Sequence, residues 1–368
     1  MKKIVVVSYT TYPDNTPRSF RTNELTRELA RQGHEVTLYV LTGGYNYTTY
    51  QKETNINVRP LGRTFFFDFS HANGISEIFI MKVFRRLVGK FLEFPSIELA
   101  LNTYQVLKRE ENIDLLITIA VPYPLHWGAA LFRSKNKDRL ANTTWVADCG
   151  DPYMGNTFHK RPFYFSYIEK WFCNKVDFIS IPLEEARRAY YSEFSDKIKI
   201  IPQGFNFDEV EVNKEPLKNT IPVFIYAGIF YKNLRDPRPV LDYLVKLNIN
   251  FKFIIYTKTP ELLKDYISIL GDKLQIFGFI PRKELIFKMS SADFLLNLEN
   301  PSKEQSPSKL IDYALSGSPI LSINPNVESD LSKLDEFLSG NYEKRFQLLN
   351  IEQYNIKNVA SEFLRLAD

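Results

Sequence analysis

Short apolar runs alternate with longer segments of helical periodicity along the whole sequence. The runs in the first half have the length of strands and lie at residues 2–9, 34–40, 113–119, 143–149, 177–181 and 198–202. A second series lies at residues 222–228, 251–257, 274–280, 293–299 and 319–323. Strands that alternate with helices usually pair in parallel, with helices on both faces of the sheet. The pattern therefore predicts an α/β fold with two doubly wound sheets.

The length of the chain supports two domains. Its 368 residues exceed what one hydrophobic core usually serves, and residues 203–222 are polar and contain two prolines. We expect an N-terminal Rossmann-like domain over residues 1–203 and a C-terminal one over residues 204–368, whose last helix can pack back on the first domain. Two such domains face each other across a cleft between the carboxyl ends of their strands, where sheets of this kind bind ligands.

The composition excludes several classes of protein. The 47 basic and 43 acidic residues leave a net charge of +4, which gives no case for nucleic acid as a partner. The only cysteines, Cys149 and Cys173, exclude a disulfide framework and a Cys-rich zinc site, and they suit a reducing cytoplasm. No run approaches the roughly 20 apolar residues that cross a bilayer, and residues 1–14 suit a first strand rather than a signal peptide. We therefore expect a cytoplasmic protein.

The stretch ENPSKEQSPSKLIDYALSGSPILSI is the most informative part of the sequence. Ser306 suits the N-cap of a helix and Pro307 its first position, while Gly317 suits a left-handed helix end. Ser308 and Lys309 then lie in the first turn, where unpaired N–H groups and the positive end of the helix dipole attract anions. With the hydroxyl and the ammonium of these two residues, the helix start predicts a pocket for a diphosphate.

Two carboxylates flank this helix start. Glu304 lies in the loop before it, and Asp312 lies about 9 Å along the helix at 1.5 Å per residue. Both can accept hydrogen bonds from hydroxyl groups on either side of a bound phosphate. The alternative is that Ser306 and Pro307 form an ordinary cap, and that Lys309 and Asp312 are solvated or form a local ion pair.

A second helix start of the same design follows the strand that ends at Gly228. Asp236 and Pro237 suit its N-cap and its first helical position, which places Lys232 and Arg235 in the loop before it. Gly228 allows a ligand to approach the backbone, and arginine forms bidentate contacts with phosphate. The alternative is a solvated basic loop, but two such helix starts in one domain favour a phosphorylated ligand.

These features, in this order, resemble the donor half of retaining glycosyltransferases of the GT-B fold, family 4. The resemblance rests on Gly228 with its basic loop, on FGFIPRKELIFKMSSADFLLNLEN, and on the pair Glu304 and Asp312 running into ALSGSPIL. In the N-terminal half, an arginine-bearing helix followed by RQGHEVTLYV, and then IIPQGFNFDE, match the same family. The chain departs from the family's Glu-x7-Glu signature at Asp312, from its glycine-rich loop at residues 305–308, and at Ile229, where many members have arginine.

The resemblance implies a nucleotide sugar as substrate. The implied donor-binding residues are Asp312, Lys309, Ser308, Arg235, Lys232, Gly228 and Phe279. In this scheme Asp312 holds the ribose hydroxyls, Glu304 is catalytic and faces the sugar ring, and Phe279 belongs to the segment that borders the nucleobase. The cations stabilise the diphosphate as the sugar leaves, so that neither a metal ion nor a cofactor is required.

The N-terminal domain is expected to bind the acceptor. Asp148 and Asp151 follow a predicted strand, where a carboxylate can orient or deprotonate a hydroxyl, and they resemble the Asp-x-x-Asp-Pro element of some family members. Asp148 can equally cap the loop, and Asp151 can cap a turn. Asn15, Arg18 and Arg21 lie where the family's chain approaches donor and acceptor, or else form a helix start exposed to water.

Residues 64–95 combine apolar and basic side chains. The stretch ISEIFIMKVFRRLVGKFLEF has large apolar residues in most turns, with Lys82, Arg85, Arg86 and Lys90 close together. This is typical of an amphipathic helix on an anionic membrane surface, which would suit a lipid-linked acceptor. The alternative is a buried helix whose basic face is solvated or lines the acceptor site.

The sequence thus predicts a cytoplasmic, metal-independent, retaining glycosyltransferase that moves a sugar from a nucleoside diphosphate to a hydroxyl acceptor. A glycan or lipid-linked glycan is the expected acceptor, bacterial surface polysaccharide assembly the expected setting, and the inner membrane face a further expected partner. Within the enzymes, the alternative is a GT-B nucleotide-sugar epimerase or an inverting transferase. The alternative of another class is a non-catalytic protein that binds sugar nucleotides or glycans.

Overall fold

The structure is a computed structural model, and it describes residues 1–65, 88–156, 160–215, 218–232, 235–299 and 308–368. The chain forms two compact units. The first contains Met1–Phe205 together with Gln353–Asp368, and the second contains Asn206–Glu352. The division therefore follows Phe205, where the sequence predicted residue 203, and the C-terminal helix (Ile356–Arg365) belongs to the first unit.

The first unit is built on a seven-stranded parallel sheet. Its strands are β1 (Lys3–Val7), β2 (Glu35–Val40), β3 (Asn57–Pro60), β4 (Leu115–Ala120), β5 (Thr144–Cys149), β6 (Phe178–Ile181) and β7 (Ile198–Ile200). They lie in the order β3-β2-β1-β4-β5-β6-β7. The six predicted strands are confirmed, whereas β3 was not predicted because its sequence, NVRP, contains no apolar run.

Helices connect these strands. They are α1 (Pro17–Arg31), α2 (Thr48–Thr54), α3 (Glu98–Leu107), α4 (Pro124–Lys135) and α5 (Phe165–Lys175), with 3-10 helices at Asp138–Leu140, Glu184–Ala189 and Ser192–Lys197. In α1, Thr16 accepts a hydrogen bond from the N–H of Ser19 at 3.2 Å and Pro17 is the first helical residue, as predicted. Gly33, with φ of 84°, provides the left-handed turn after the helix.

Both faces of the first sheet are covered by buried apolar side chains. One core contains Leu99, Trp127 and Phe172 from α3, α4 and α5. The other contains Leu29 from α1 and Phe363 from the C-terminal helix. The C-terminal helix therefore completes the core of the first unit.

The second unit is built on a five-stranded parallel sheet. Its strands are β8 (Val223–Ala227), β9 (Lys252–Tyr256), β10 (Leu274–Phe277), β11 (Phe294–Leu298) and β12 (Ile320–Ile323), in the order β10-β9-β8-β11-β12. All five predicted strands are confirmed. Phe224 stacks on Phe253 of β9 and on Phe294 of β11, with ring centres 4.4 and 4.7 Å apart, so that aromatic packing spans three neighbouring strands.

The helices of the second unit flank this sheet in sequence. They are α6 (Arg238–Lys246), α7 (Lys264–Leu270), α8 (Arg282–Met289), α9 (Ser308–Ser316), α10 (Glu328–Leu331) and α11 (Lys333–Leu338), with 3-10 helices at Pro260–Leu263, Gly271–Lys273 and, at the boundary, Ile351–Tyr354. Helix α6 begins at Arg238, one residue later than predicted, and the Asp236 carboxylate accepts a hydrogen bond from the Arg238 N–H at 3.0 Å, as a capping side chain does. Helix α9 ends before Gly317, with φ of 80°, as predicted.

Several predictions fall on parts of the chain that the structure does not describe. The predicted cap of α9, Ser306 with Pro307, lies there, and so do Glu304 and the basic residues Lys82, Arg85 and Arg86. Across the described ranges, no helix has both the length and the apolar character needed to span a bilayer.

Candidate functional site

A cavity of about 300 Å³ lies at the carboxyl end of the second unit's sheet. There β8 is flanked by β9 on one side and β11 on the other, so the strand order reverses next to β8. Such a reversal leaves a crevice in which doubly wound sheets bind ligands. The lining residues are Ala227, Gly228, Ile229, Tyr256, Thr257, Lys258, Phe279, Ile280, Leu285, Met289, Lys309, Asp312 and Tyr313.

Tyr313 fixes helix α9 against the ends of the strands. Its hydroxyl accepts a hydrogen bond from the N–H of Ala227 at 2.8 Å and donates to the carbonyl of Leu296 at 3.2 Å. Because Ala227 ends β8 and Leu296 belongs to β11, one buried side chain bridges the two strands at the reversal. The position of Lys309 in the first turn of α9 is thereby fixed relative to the sheet.

Lys309 places a buried ammonium group at this point. Its Nζ lies 4.7 Å from the ring centre of Tyr226 and 5.9 Å from that of Tyr313, and it makes no hydrogen bond to the described residues. Burial, with the positive charge of Arg235 as a second cause, lowers the pKa of Lys309 to about 7. A buried polar group without a hydrogen-bond partner is costly, and the two rings offset only part of this cost. The arrangement therefore points to an anionic ligand.

Arg235 brings a second cation to the same place. Its Nε is buried and, within the part of the chain that the structure describes, makes no hydrogen bond. The guanidinium lies 5.5 Å from the ring centre of Tyr231, and its charge acts on both Lys309 and the hydroxyl of Tyr226. Like charges in a medium of low dielectric constant repel each other, so a group with two negative charges that bound both cations would relieve this repulsion.

Asp312 lines the cavity on the same helix as Lys309. Arg282, the first residue of α8, donates a hydrogen bond from Nε to Oδ1 of Asp312 at 2.8 Å, and its Nη2 lies 2.7 Å from the same oxygen. Burial raises the pKa of Asp312, and the positive charge of Arg282 limits the rise. The ionised carboxylate can accept hydrogen bonds from the hydroxyl groups of a ligand.

The opposite side of the cavity is formed by the loops after β8, β9 and β10. Gly228 has φ of 150°, which favours glycine, and its N–H donates to the carbonyl of Tyr256 at 3.0 Å. The side chain of Phe279 is 72% exposed, and Nζ of Lys258 lies 4.5 Å from its ring centre. An exposed ring at the edge of a cavity can stack on a planar aromatic group.

The structure brings most of the predicted donor-binding residues together. Those that line the cavity are Gly228, Phe279, Lys309 and Asp312. Arg235 acts on Lys309 through its charge, whereas Lys232 is exposed in the loop and is not part of the described lining. Ser308 begins α9, but its side chain and the whole of Glu304 lie outside what the structure describes.

In the first unit, Asp148 is the centre of a buried ion-pair network. Arg21 donates to it from Nε at 3.1 Å and from Nη2 at 2.9 Å, Ser180 donates at 2.7 Å, and Arg18 lies 3.4 Å away. Asp148 is 3% exposed and Arg21 is 2% exposed. Burial alone would raise the pKa of Asp148, but Arg21 and Arg18 outweigh it and hold this pKa below its usual value. The network accounts for Asp148 and Arg21 without any ligand, and a carboxylate of lowered pKa is a weak proton acceptor.

The other residues predicted to meet the acceptor are more accessible. Asn15 and Asp151 are exposed, and Arg18 is partly exposed. At Gly150, an added Cβ would lie 2.3 Å from Cζ of Arg18, so a side chain there would displace the guanidinium. The hydroxyl of Tyr123 donates to the carbonyl of Asp151 at 2.8 Å and anchors the loop that follows β5.

Within the described ranges, no three His, Cys, Asp or Glu side chains are grouped so that they could hold a metal ion. His126 is buried, shares a hydrogen bond with the hydroxyl of Thr118 at 2.7 Å, and stacks on Phe172 with ring centres 5.2 Å apart. Burial lowers the pKa of His126 to about 3. These contacts explain His126 as part of the core.

Two cationic residues, one in the lining of the cavity and one beside it, were not predicted from the sequence. One is Lys258, whose exposed position after β9 follows no recognisable pattern. The other is Arg282, for which a signal exists: Pro281 precedes it at the start of a helix, just as Pro237 precedes Arg238. The repeated pattern marks Arg282 as lying near the strand ends, but its pairing with Asp312 is visible only in three dimensions.

Comparison with known proteins places the fold. No family model matches the sequence, and no curated protein matches it. The lipopolysaccharide outer core galactosyltransferase WaaB has a similar structure, with a TM-score of 0.63, 14% identity, and coverage of 99% of this chain and 98% of that one. Alr3699/HepE from Anabaena, solved with UDP-glucose, has a TM-score of 0.60 and 11% identity, with 99% of both chains covered. The UDP-GlcNAc 2-epimerase from Neisseria meningitidis, bound to UDP-GlcNAc, has a TM-score of 0.57 and 13% identity, again with 99% of both chains covered.

The chain therefore has the fold of GT-B proteins, with two Rossmann-like α/β domains.

Proposed function

We propose that this chain is a glycosyltransferase that moves a sugar from a nucleoside diphosphate to a hydroxyl acceptor. One observation carries the proposal: Nζ of Lys309 and Nε of Arg235 are buried at the reversal of the second sheet, and neither atom has a hydrogen-bond partner among the described residues. The charge of Arg235 also acts on Lys309. Asp312, in the same cavity, supplies an acceptor for hydroxyl groups. A diphosphate joined to a ribose has negative charges for the two cations and hydroxyl groups for the carboxylate of Asp312.

The two cations would act most strongly as the sugar leaves. The bond between the anomeric carbon and a diphosphate oxygen breaks, and the oxygen keeps the electron pair. Lys309 and Arg235 then interact with the additional negative charge in a site that screens it poorly. Because fixed charges of this kind stabilise the leaving group, we expect transfer to need no metal ion or cofactor and to continue in the presence of EDTA.

The rest of the cavity suits a nucleoside. The carboxylate of Asp312 would accept hydrogen bonds from the ribose hydroxyls, and the exposed ring of Phe279 would lie beside the nucleobase. HepE was solved with UDP-glucose and the Neisseria meningitidis epimerase with UDP-GlcNAc, which makes UDP and its sugars the first ligands to test.

The finer assignment is a retaining transferase like those of family 4. Its support is the resemblance in sequence, in which Glu304 faces the sugar ring and Asp312 stands in place of the family's second glutamate. The anomeric configuration of the product, measured by NMR, tests this assignment. A product with the configuration of the donor supports it, whereas an inverted product would refute retention and leave the transfer activity intact.

For the acceptor, the first unit offers an exposed carboxylate at the carboxyl end of its sheet. Asp151 follows β5 and is exposed, whereas Asp148 is paired with Arg21 inside the unit. We therefore assign the orientation or deprotonation of the acceptor hydroxyl to Asp151, with Asn15 and Arg18 as further contacts. Asp148 would then contribute by holding Arg18 in place.

A lipid-linked glycan is the proposed acceptor, and the basic stretch from Lys82 to Lys90 would bind the inner face of an anionic membrane. We expect the protein to co-sediment with phosphatidylglycerol vesicles at low salt and to be released as the salt concentration rises, because salt screens surface charges. Phosphatidylcholine vesicles are the control. If the protein stays in solution with the anionic vesicles, the membrane is not a partner.

A thermal-shift screen with UDP, GDP, CDP and their sugars tests the donor site. A ligand that binds only the folded protein raises its stability, by about 2.7 kcal/mol at a concentration 100 times Kd. We expect one class of nucleotide to raise the Tm, and we expect Asp312→Ala to weaken this effect. The proposal fails if none of these nucleotides raises the Tm.

A nucleotide-sugar epimerase is the second candidate, because the Neisseria meningitidis UDP-GlcNAc 2-epimerase has the same fold over its whole length. An epimerase changes the nucleotide sugar without an acceptor, whereas a transferase consumes it efficiently only when an acceptor is present. Incubation with UDP-GlcNAc alone, followed by NMR of the sugar, distinguishes the two activities.

A further inference from the structure

The ion pair between Arg282 and Asp312 joins two helices at the edge of the cavity. Arg282 is the first residue of α8, after the loop that leaves β10, and Asp312 is in the middle of α9. Asp312 lines the cavity, whereas Arg282 is outside its lining. Arg282 therefore holds the carboxylate without itself forming the wall of the cavity.

The two oxygens of Asp312 have different surroundings. Nε of Arg282 donates to Oδ1 at 2.8 Å, and Nη2 lies 2.7 Å from the same Oδ1. Oδ2 makes no hydrogen bond to any residue that the structure describes. One oxygen is thus fixed by the protein and the other remains as an acceptor for a ligand.

The burial of Asp312 makes this pairing important. Burial favours the protonated carboxyl group, and the charge of Arg282 opposes that effect. A protonated Asp312 would lose much of its strength as an acceptor of hydroxyl hydrogen bonds, because hydrogen bonds to a charged group are the stronger ones. Arg282 therefore controls both the orientation and the charge of the carboxylate.

We propose that Arg282 is a positioning residue that presents Oδ2 of Asp312 to the 2′-hydroxyl of the ribose, and that the pair thereby selects ribonucleotides over 2′-deoxyribonucleotides. The proposal rests on the proposed function, since it requires a nucleoside diphosphate in the cavity. On this proposal, Arg282 affects only the binding of the ribose. A residue that merely stabilises the fold would affect the binding of ribonucleotides and deoxyribonucleotides alike.

The test is isothermal titration of the unmodified protein and of Arg282→Ala and Arg282→Lys with UDP, GDP and their 2′-deoxy forms. We expect the unmodified protein to prefer the ribonucleotide by about 10- to 100-fold, the size of a hydrogen bond to a charged acceptor. Arg282→Ala should lose about tenfold in affinity for the ribonucleotide and little for the deoxy form. Arg282→Lys, which keeps the charge, should restore part of the preference.

The matched control is Lys283→Ala. Lys283 is the next residue of the same helix turn, and its ammonium pairs with Glu209 at 3.2 Å, so its removal should leave the preference for ribose unchanged. An Arg282→Ala protein with unchanged affinities, or with equal losses for both forms, would overturn the proposal while the nucleotide site stands. If the unmodified protein binds no nucleoside diphosphate, the proposed function fails as well.

Discussion

Replacing Lys309 with methionine is expected to lower the affinity for UDP by roughly 100-fold and, at the same time, to raise the Tm of the protein. The two effects have one cause. In the ligand-free protein the ammonium is buried beside Arg235 without a hydrogen-bond partner in the described residues, which is unfavourable. With a diphosphate bound it gains a charged partner, and removal of one partner of such a pair costs about 2–5 kcal/mol. Methionine has a similar shape and needs no partner.

The pH dependence of nucleotide binding tests whether the positive charge of Lys309 is the cause of the expected loss of affinity. Because the pKa of Lys309 is lowered to about 7, the ammonium loses its proton as the pH rises through neutrality. An anion binds the protonated form, so the affinity for UDP-glucose should fall between pH 7 and pH 9 and binding at pH 8 should take up a proton. UDP-glucose suits this measurement because its diphosphate has no group that titrates in that range. Titration calorimetry in buffers of different ionisation enthalpy measures the proton uptake directly.

Lys258→Met is the matched control. Lys258 also lines the cavity, but it is exposed and its ammonium contacts the ring of Phe279. Its replacement should change neither the Tm nor the pH dependence of binding appreciably. A Lys309→Met protein that binds UDP as tightly as the unmodified protein would show that the diphosphate does not lie at this cation.

Replacing Asp148 with alanine is expected to lower the free energy of unfolding of the first unit by about 3–5 kcal/mol, because it leaves Arg21 buried without its ion-pair partner. Tryptophan fluorescence during urea unfolding measures this unit alone, since Trp127, Trp145 and Trp171 are the three tryptophans of the chain and all lie in it. Because the pKa of Asp148 is lowered in the folded protein, its carboxylate adds to the free energy of unfolding at neutral pH. This contribution is lost as the pH falls through the acidic range.

The double variant Arg21→Met with Asp148→Leu separates stability from catalysis. Exchange of a whole buried ion pair for apolar residues is often neutral or stabilising, so the double variant should recover most of the lost stability. If the first unit of Asp148→Ala unfolds as the unmodified protein does while transfer activity disappears, Asp148 acts in catalysis and its assignment as a positioning residue is wrong.

The sequence predicted the sheets well because their signals are local. Buried parallel strands such as VVV in β1 and FIIY in β9 are continuous apolar runs, and cap residues such as Thr16 and Gly33 mark the ends of helices. β3 was missed because its four residues pair with β2 through the backbone and carry no such run.

For the candidate site, the sequence predicted the residues that belong to one local motif, but not their partners from distant parts of the chain. Lys309 and Asp312 follow from one motif, and the structure places both at one cavity. The partner of Asp312 lies 30 residues earlier, and Arg21 lies 127 residues before Asp148. Neither separation has a periodic or local signal in the sequence. Pairings of this kind depend on how the elements pack, which is why the sequence predicted neither the ion pair of Arg21 with Asp148 nor that of Arg282 with Asp312.

The return of the chain to the first unit makes the second unit an insertion. The segment Asn206–Glu352 is continuous, with its own sheet and core, whereas the first unit needs two separate pieces of chain. A fragment of residues 1–205 would lack Ile356, Val359 and Phe363, and would expose the apolar side chains that they cover. To obtain the first unit by itself, the second unit should therefore be removed and the two flanking ends joined. A single cut after residue 205 would leave the first unit without its C-terminal helix.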